Sequence, residues 1–439
     1  HTKALIMAFF RPTEPWTMCS SYEASERITF KELSPFECTQ STYKEHPRDR
    51  IPDPMKCIKK YRRSAAGGGV QPQYKEDGKE WKRSLDDLEI SVDYLLTIYA
   101  NQQSDGMQEK MSLVKTVNFV DDRLRAIQVD LTTLLGNMGD LDAESLNLVR
   151  RIQVRLVRYN LLTQHLLSSL GADKFEWKFA TTALTTAISS FFATYHGHNT
   201  DTGETSNLDE VMCYAALLHI AMTLKNNEVA LPQTSSTGQG CGLATDGGDG
   251  MSAILGLYRK HVQKTTHSFN NGSFPKYEWA LKVGGATETG DLFTALKLLA
   301  PKPGDLEEID DEGRWKICSR CCIAQAVPLI RIGLMRRYNK SFGKGEQVKD
   351  DNLADLLFLP SPGAAVKFCE GIGLPSVSST DGGRIDRIVM KAAPISIDGE
   401  NIGQMTNPGR DMDEFVFGKQ NWLLFNPPNP KIRDPFEGM

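Results

Sequence analysis

A run of basic residues around one tyrosine is the first stretch whose residue types suggest chemistry. The run, IKKYRRSAAGGG at residues 58–69, contains four cations: Lys59, Lys60, Arg62 and Arg63. Lysine and arginine side chains bind phosphate oxygens without reading base sequence, so the run is a candidate nucleic-acid contact. Basic residues at a helix end, just before glycine, also complement the helix dipole. Taken alone, the run leaves both interpretations open.

A close group of cysteines is a candidate metal site. Cys318, Cys321 and Cys322 include one Cys-x-x-Cys pair. A structural zinc site needs four ligands, however, and no second pair or suitably spaced histidine follows. On a helix, Cys318 and Cys322 share one face and pack as small hydrophobic side chains. A metal-dependent enzyme built on these thiols is therefore the less favoured alternative, and stoichiometric zinc would support it.

Other catalytic patterns are missing from the sequence. The eight histidines form no His-x-x-x-His pattern, and there is no Gly-x-Ser-x-Gly motif. The glycine-rich stretches GQGCGLA and GKGEQ do not follow a buried strand, as a phosphate-binding loop requires. We therefore predict a protein that is not an enzyme and holds no metal or cofactor.

Opposite charges border the most regular helical pattern in the chain. At about 100° per residue, one apolar stripe contains Leu113, Val117, Val120, Leu124, Ile127, Leu131 and Leu134. Arg123 and Asp130 lie two turns apart on its flank. An unpaired charge at a core border is costly, so we expect both to hold neighbouring helices. The arginines at residues 151, 155 and 158 repeat at helical spacing, which is typical of a solvated face.

Helical periodicity dominates from about residue 85 to 340, which predicts a mainly α fold. Seven or more amphipathic segments follow one another with hardly a strand pattern, as in a helix-hairpin solenoid or a stacked bundle. The first 80 residues read as an extended lead-in with short helices over SSYEASERITFKEL and PDPMKCIKKYRRSAA.

The pattern changes from about residue 347. Two short helices are predicted, the second starting at Ser361 and Pro362 and ending at Gly371 or Gly373. Two strand-like runs follow, RIDRIVMKAA and EFVFGK, which completes a winged-helix layout. We expect an N-terminal segment at 1–80, a helical domain at 81–340 with a disordered loop near 232–250, a winged-helix-like domain at 341–419, and an irregular tail at 420–439.

Composition limits the class of protein. The formal charge of −4 over 439 residues leaves only local basic patches as polyanion sites. Nine cysteines, an odd number without framework spacing, indicate free thiols in a reducing compartment. No apolar run approaches the roughly 18 to 20 residues that cross a bilayer. A cytosolic or nuclear protein is expected.

Four motifs follow one another between residues 18 and 132: MCSSYEASER, IKKYRRSAA, WKRSLDDLEISVDYLL and FVDDRLRAIQVDLT. In this order they resemble the motifs of the GANP/Sac-three family, scaffold proteins of nuclear mRNA export. The matching positions are Met18, Cys19, Glu23, Arg27, Lys59, Tyr61, Arg63, Ser64, Ala65, Ala66, Arg83, Leu88, Tyr94, Leu95, Phe119, Arg123, Arg125, Ile127, Asp130 and Thr132. Ser20 and Ser84 replace prolines of the pattern and Gln128 replaces an arginine, which implies a divergent member.

The resemblance implies a helical-repeat (PCI/TPR-like) solenoid followed by a C-terminal winged-helix domain. It also implies a non-enzymatic scaffold of a TREX-2 type complex at the nuclear envelope or pore. The implied partners are a PCI-domain protein, a small acidic subunit and RNA, which the chain and the PCI partner bind jointly, weakly and without strong sequence preference. In addition to the basic run, the matching RNA-binding residues are Arg336, Arg337, Lys340, Lys344, Arg384, Arg387 and Lys391.

Two further alternatives remain open from the sequence. Short relatives without long flanking regions resemble a centrosome- or spindle-associated branch of the same family, which imaging of the tagged protein would separate from a nuclear-rim protein. A helical RNA-coating protein also has an all-helical layout and basic grooves, and it would oligomerise on RNA.

Overall fold

The computed structural model describes residues 17–39, 41–42, 45–62, 75–76, 79–104, 110–136, 141–167, 175–195, 205–229, 274–300, 311–378 and 385–391. The predicted disordered loop near 232–250, the strand-like run EFVFGK and the tail at 420–439 lie outside these residues. In the described part the fold is mainly helical, as predicted, and the succession of helices is consistent with a helical solenoid.

The helices are α1 (Ser21–Phe30), α2 (Leu85–Ser104), α3 (Lys110–Leu135), α4 (Ala143–Leu166), α5 (Trp177–Ala193), α6 (Thr205–Val229), α7 (Pro275–Thr289), α8 (Leu292–Leu299), α9 (Asp311–Ile323), α10 (Val327–Ser341), α11 (Asp350–Leu357) and α12 (Pro362–Gly371). The strands are β1 (Lys75–Glu76), β2 (Lys79–Glu80), β3 (Gln347–Lys349), β4 (Ser376–Ser378) and β5 (Ile385–Val389). Among the described residues no single helix is long and apolar enough to cross a membrane, although α9 and α10, bent by 63°, pass that test as a pair.

The chain divides into two compact units, and the division falls inside α4 after Leu156. Unit 1 contains the described residues up to 156 and residues 193–195, and unit 2 contains the other described residues. The predicted domain boundaries near residues 80, 340 and 419 remain predictions.

Unit 1 packs α2 against α3. The segment with the predicted apolar stripe forms a helix, α3. The stripe is buried at Val117, Val120, Leu124, Ile127 and Leu131. The described residues of the N-terminal segment, 17–62, form a small core of their own, in which Cys19, Ala24, Leu33, Cys38 and Cys57 pack together.

The second predicted N-terminal helix, over residues 52–66, is wrong for its described part. Residues 57–62 form neither a helix nor a strand, and residues 63–66 lie outside the described residues. The amide groups here bond to acceptors elsewhere: Ile58 N to the Glu37 carboxylate at 3.3 Å, Lys59 N to Met18 O at 2.9 Å, and Lys60 N to the Glu23 carboxylate at 2.7 Å. Because these acceptors satisfy the amides, the segment gains nothing by forming a helix.

In unit 2, α6 packs against α7 and α9, α7 against α8, and α8 against α10. Helix α7 begins at Pro275 with no side-chain cap of its own. The Asp209 carboxylate of α6 takes that role, because it accepts from Lys276 N at 3.0 Å and Tyr277 N at 2.8 Å. A buried carboxylate therefore fixes where α7 starts on α6.

The C-terminal part of unit 2 has the order β3, α11, α12, β4, β5, and its sheet has the strand order β3-β5-β4, with antiparallel neighbours. Ser361 caps α12 by accepting from Ala364 N at 3.2 Å, Pro362 follows it, and the helix ends at Gly371, as predicted. The sequence did not reveal β3 and β4. This order is typical of a winged helix, an assignment that remains a prediction because EFVFGK is outside the described residues.

A buried histidine on α4 makes the stability of unit 2 depend on pH. Burial lowers the pKa of His165 to about 4 from its ordinary value of 6.5. The unfolded chain therefore binds a proton that the folded chain does not, and stability decreases as the pH falls below about 6.5. In His165→Gln the decrease between pH 6.5 and pH 5 should be smaller by about 1.6 kcal/mol, because proton uptake by the unfolded chain reaches its full slope of about 1.36 kcal/mol per unit of pH only well below pH 6.5. Urea unfolding of both proteins at these pH values measures the difference. An equal decrease in unfolding free energy in the two proteins would contradict the prediction.

Candidate functional site

A short turn in the N-terminal segment places one carboxylate in the interior of unit 1. Residues 34–37 read Ser-Pro-Phe-Glu and form a capping box: Ser34 Oγ accepts from Phe36 N at 3.4 Å, and Ser34 N donates to the Glu37 carboxylate at 3.3 Å. Pro35 sits at the first position of the turn, where its missing N–H costs nothing. The Glu37 side chain is fully buried as a result.

Two arginines from distant parts of the sequence meet at this carboxylate. Arg27 on α1 bonds to Glu37 Oε2, and Arg123 on α3 donates to the same oxygen at 2.9 Å and to Oε1 at 3.3 Å. Arg27 also donates to Ile58 O at 2.9 Å. Glu37 therefore joins α1, α3 and the non-helical residues 57–62 at one point.

A second carboxylate, Glu23 on α1, completes what we call the charge cluster, which consists of Glu23, Arg27, Glu37 and Arg123. Glu23 lies 3.9 Å from the Arg27 guanidinium and accepts from Lys60 N. Burial raises the pKa of Glu23, partly opposed by Arg27. Burial would also raise the pKa of Glu37, but Arg123 and Arg27 outweigh it and the pKa is lowered. Glu37 is thus the anion that the arginines require.

Asp130 on α3 makes a second junction two turns further along the helix. Its carboxylate accepts from Lys59 Nζ at 2.7 Å and from Arg83 Nε at 2.8 Å. Tyr94 on α2 donates to Phe36 O at 2.5 Å. Arg123 and Asp130 therefore hold the N-terminal segment and the start of α2 against α3. Of the other motif residues, Met18 and Cys19 are buried, Tyr61 and Arg125 are half-buried, and Ser64 lies outside the described residues.

The basic run of residues 58–69 is largely neutralised where the structure describes it. Lys59 pairs with Asp130, Lys60 with Glu32 at 3.1 Å, and Arg62 with Glu26 at 3.1 Å. Arg63 lies outside the described residues. A phosphate would have to displace a carboxylate from each of these cations, so we expect the run to bind nucleic acid more weakly than its composition indicates.

The basic residues predicted near the C-terminus are more accessible. Arg337, Lys340, Lys344 and Lys391 are exposed, and Arg336 and Arg387 are half-buried. Arg337 donates to the carbonyl of Gly290, and Arg387 donates to Gln347 Oε1 at 3.4 Å. Arg384 lies outside the described residues. We call the exposed group of Arg337 and Lys340 on α10 and Lys344, three residues after it, the basic edge of α10.

The cysteine group offers little nucleophilic or metal-binding character. Cys318, Cys321 and Cys322 are buried free thiols, and burial raises the pKa of Cys318 to about 12. A thiol with a raised pKa stays protonated at neutral pH, whereas a nucleophile or zinc ligand is a thiolate. Within the described ranges, no group of three histidine, cysteine or acidic side chains is arranged to hold a metal ion.

The expectation of a solvated arginine face on α4 is wrong for two of its three residues. Arg151 is exposed, but Arg155 and Arg158 are buried. Arg155 pairs with Asp93 of α2. Arg158 donates to both oxygens of Glu210 on α6, at 2.6 and 2.8 Å, and Tyr214 donates to the same carboxylate at 2.7 Å. The sequence of α4 does not show these acids, because they lie on other helices.

Glu37 and Glu210, like Asp93 and Asp209, are anchoring residues that the sequence reasoning missed. For Glu37 a signal exists in the spacing of Ser34 and Glu37, which is that of a capping box. No comparable local signal marks Glu210, which sits in an ordinary apolar helix.

These features define a mainly helical protein whose buried charges hold helices and a non-helical segment together. The chain matches the model of the SAC3/GANP family over residues 18–242, more than half of its 439 residues, and it belongs to that family. This is a family of scaffold proteins that is linked in general to nuclear mRNA export. A comparison with curated proteins gives no match.

Neutralising Glu37 should loosen unit 1. In Glu37→Gln two buried guanidiniums lose the carboxylate that they share, although Arg27 keeps Glu23 and Arg123 keeps Asp122, and breaking a buried ion pair typically costs about 3 to 5 kcal/mol. We expect this loss in urea unfolding, together with rapid proteolysis within residues 17–62. Glu32→Gln is the control, because its pair with Lys60 is partly exposed and is worth less than about 1 kcal/mol. Equal stability of the two variants would show that Glu37 has no anchoring role.

Proposed function

We propose that this protein is a non-enzymatic scaffold of a nuclear mRNA-export complex of the TREX-2 type. In this proposal it binds a PCI-domain protein and a small acidic subunit, and it binds RNA jointly with the PCI protein. Family membership supports the general role. The observation that carries it is the convergence of the family-motif residues Arg27, Arg123 and Asp130 on the N-terminal segment. The side chains of these residues hold parts of the fold together, as a scaffold requires.

The proposed PCI contact uses the C-terminal part of unit 2. Residues from β3 to β5 have the order of a winged helix, and such a domain offers a compact surface to a partner of similar fold. Its core is well formed: Leu353, Leu357, Cys369 and Ile388 are fully buried. The domain is tied to α10, because Arg331 donates to Leu357 O and Phe358 O, each at 2.9 Å.

The proposed RNA contact uses the basic edge of α10. Its three side chains are exposed, in contrast to the ion-paired cations of the basic run. Contacts of this kind are electrostatic, so binding should be sensitive to salt and nearly independent of sequence. A nuclear location, at the envelope or pore, follows from the proposed role.

Affinity purification of the tagged chain from a native extract, followed by mass spectrometry, tests the proposed assembly. Recovery of a PCI-domain protein together with a small acidic protein is the expected result, and the reconstituted complex should bind RNA more tightly than the isolated chain. Repeated recovery without any PCI-domain protein would refute the proposed assembly.

Replacing the basic edge should change the salt dependence of RNA binding by the complex. We expect Arg337→Gln, Lys340→Gln and Lys344→Gln combined to reduce the slope of log affinity against log salt by about 2, at about 0.7 per phosphate on single strands. A matched triple change of exposed lysines elsewhere, at Lys31, Lys115 and Lys282, should leave the slope unchanged. Fluorescence anisotropy with labelled RNA at several salt concentrations measures it. If both triple variants had the same slope, the RNA contact would not lie on the basic edge of α10.

A further inference from the structure

An exposed aromatic pair lies where α8 meets the end of α11. Phe293 is 41% exposed, although it belongs to a helix whose other face is buried through Leu292, Ala295, Leu296 and Leu299. Its ring lies 5.5 Å from the ring of Phe358, centroid to centroid, with an angle of 41° between the planes. One face of unit 2 therefore presents a pair of rings, of which Phe293 is the outer one.

The backbone around Phe358 fixes this pair in place. Phe358 has a φ of 50°, in the left-handed region that glycine adopts easily and a phenylalanine adopts at a cost. Arg331 donates to the carbonyls of Leu357 and Phe358, each at 2.9 Å, and so holds the turn. Burial lowers the pKa of Arg331 to about 10, and the group is therefore still cationic at neutral pH. The rings are pre-arranged, and a ligand need not order them.

The aromatic pair is continuous with the basic edge of α10. A Cβ atom at Gly333 would lie 2.7 Å from Leu292 Cδ1, so glycine allows α10 to approach α8 closely. Four residues further along α10, Arg337 donates to the carbonyl of Gly290, three residues before Phe293. Lys297, also exposed, follows Phe293 by one helical turn.

Continuity with the basic edge of α10 favours a nucleic acid at the pair, because Arg337 of that edge reaches the carbonyl of Gly290. Three cations, Arg337, Lys340 and Lys297, are exposed in this part of unit 2. Exposed acids are present as well, at Glu288, Asp291, Asp351 and Asp355, and the Asp291 carboxylate is already engaged, because it accepts from Thr294 N at 3.1 Å and caps α8. The exposed neighbours of Phe293 on its own helix are charged. A protein anchor site would instead be surrounded by further apolar side chains.

We propose that the Phe293–Phe358 pair is a stacking platform for a base of single-stranded RNA, with phosphates held by the basic edge of α10. Aromatic faces beside cations are the arrangement that binds single strands, because every base has a π face and every nucleotide a phosphate. The proposal rests on the proposed function, since it assumes that the complex binds RNA. It adds a contact that does not depend on charge.

Substitution of the outer ring tests the platform in the reconstituted complex with a labelled oligouridine. Loss of one aromatic stack should lower affinity about tenfold in Phe293→Leu, which keeps an apolar contact with Phe358, and Phe293→Tyr should restore it. The salt slope should stay that of the unmodified complex, because stacking releases no counterions. Phe179→Leu, the same change at a phenylalanine that is 37% exposed on α5, is the matched control and should bind normally.

A direct readout covers the case in which Phe293→Leu unfolds. Photo-crosslinking of the unmodified complex to an oligouridine containing 5-iodouridine should label the tryptic peptide 283–297, which contains Phe293. RNA binding without that crosslink, or with unchanged affinity in a folded Phe293→Leu variant, would overturn the platform and leave the proposed RNA binding intact. No RNA binding by the unmodified complex would overturn both. Loss of the PCI partner in Phe293→Leu would instead assign the pair to a protein interface.

Discussion

A single buried carboxylate, Glu37, is the constraint on which the structure of unit 1 depends. It accepts hydrogen bonds from Arg27 and Arg123, and both guanidiniums are buried with it. Desolvating such charges is costly, and the attraction between them offsets the cost only while every partner is in place. The cluster therefore specifies one arrangement of α1, α3 and residues 57–62, since any other arrangement would leave a buried charge without a partner. We therefore expect it to contribute to the specificity of the structure more than to its stability.

The same principle is used along α4, a helix whose residues belong to both units. In unit 1 Arg155 pairs with Asp93 of α2, and in unit 2 Arg158 pairs with Glu210 of α6. In each unit a buried ion pair fixes the position of a neighbouring helix that an apolar stripe alone leaves free to slide. Asp209 adds a third device, because it fixes the first turn of α7. Within each unit, buried polar groups thus fix how neighbouring helices are aligned.

Prediction from sequence worked where the signal is local. The stripe of α3 predicts its helix because a period of 3.6 residues needs no information from outside the segment. Ser361 and Pro362 predict the start of α12 because capping is a property of neighbouring residues. The strands β3 and β4 were missed, since three residues are too few to show an alternating pattern. Residues 57–62 were taken for a helix because their acceptors, Glu23, Glu37 and Met18, are remote in the sequence.

By itself, the sequence determined the helical class, the motif positions and the residues that carry charge, because periodicity and spacing are written along the chain. Only the tertiary structure decided what each charge does. Lys59 and Arg158 look equally basic in sequence, as does Arg337, yet the first two are paired with buried or half-buried carboxylates and the third is exposed. The physical reason is that the energy of a charge depends on its surroundings, which are the distance to a counter-charge and the access of water. Both exist only after the chain has folded.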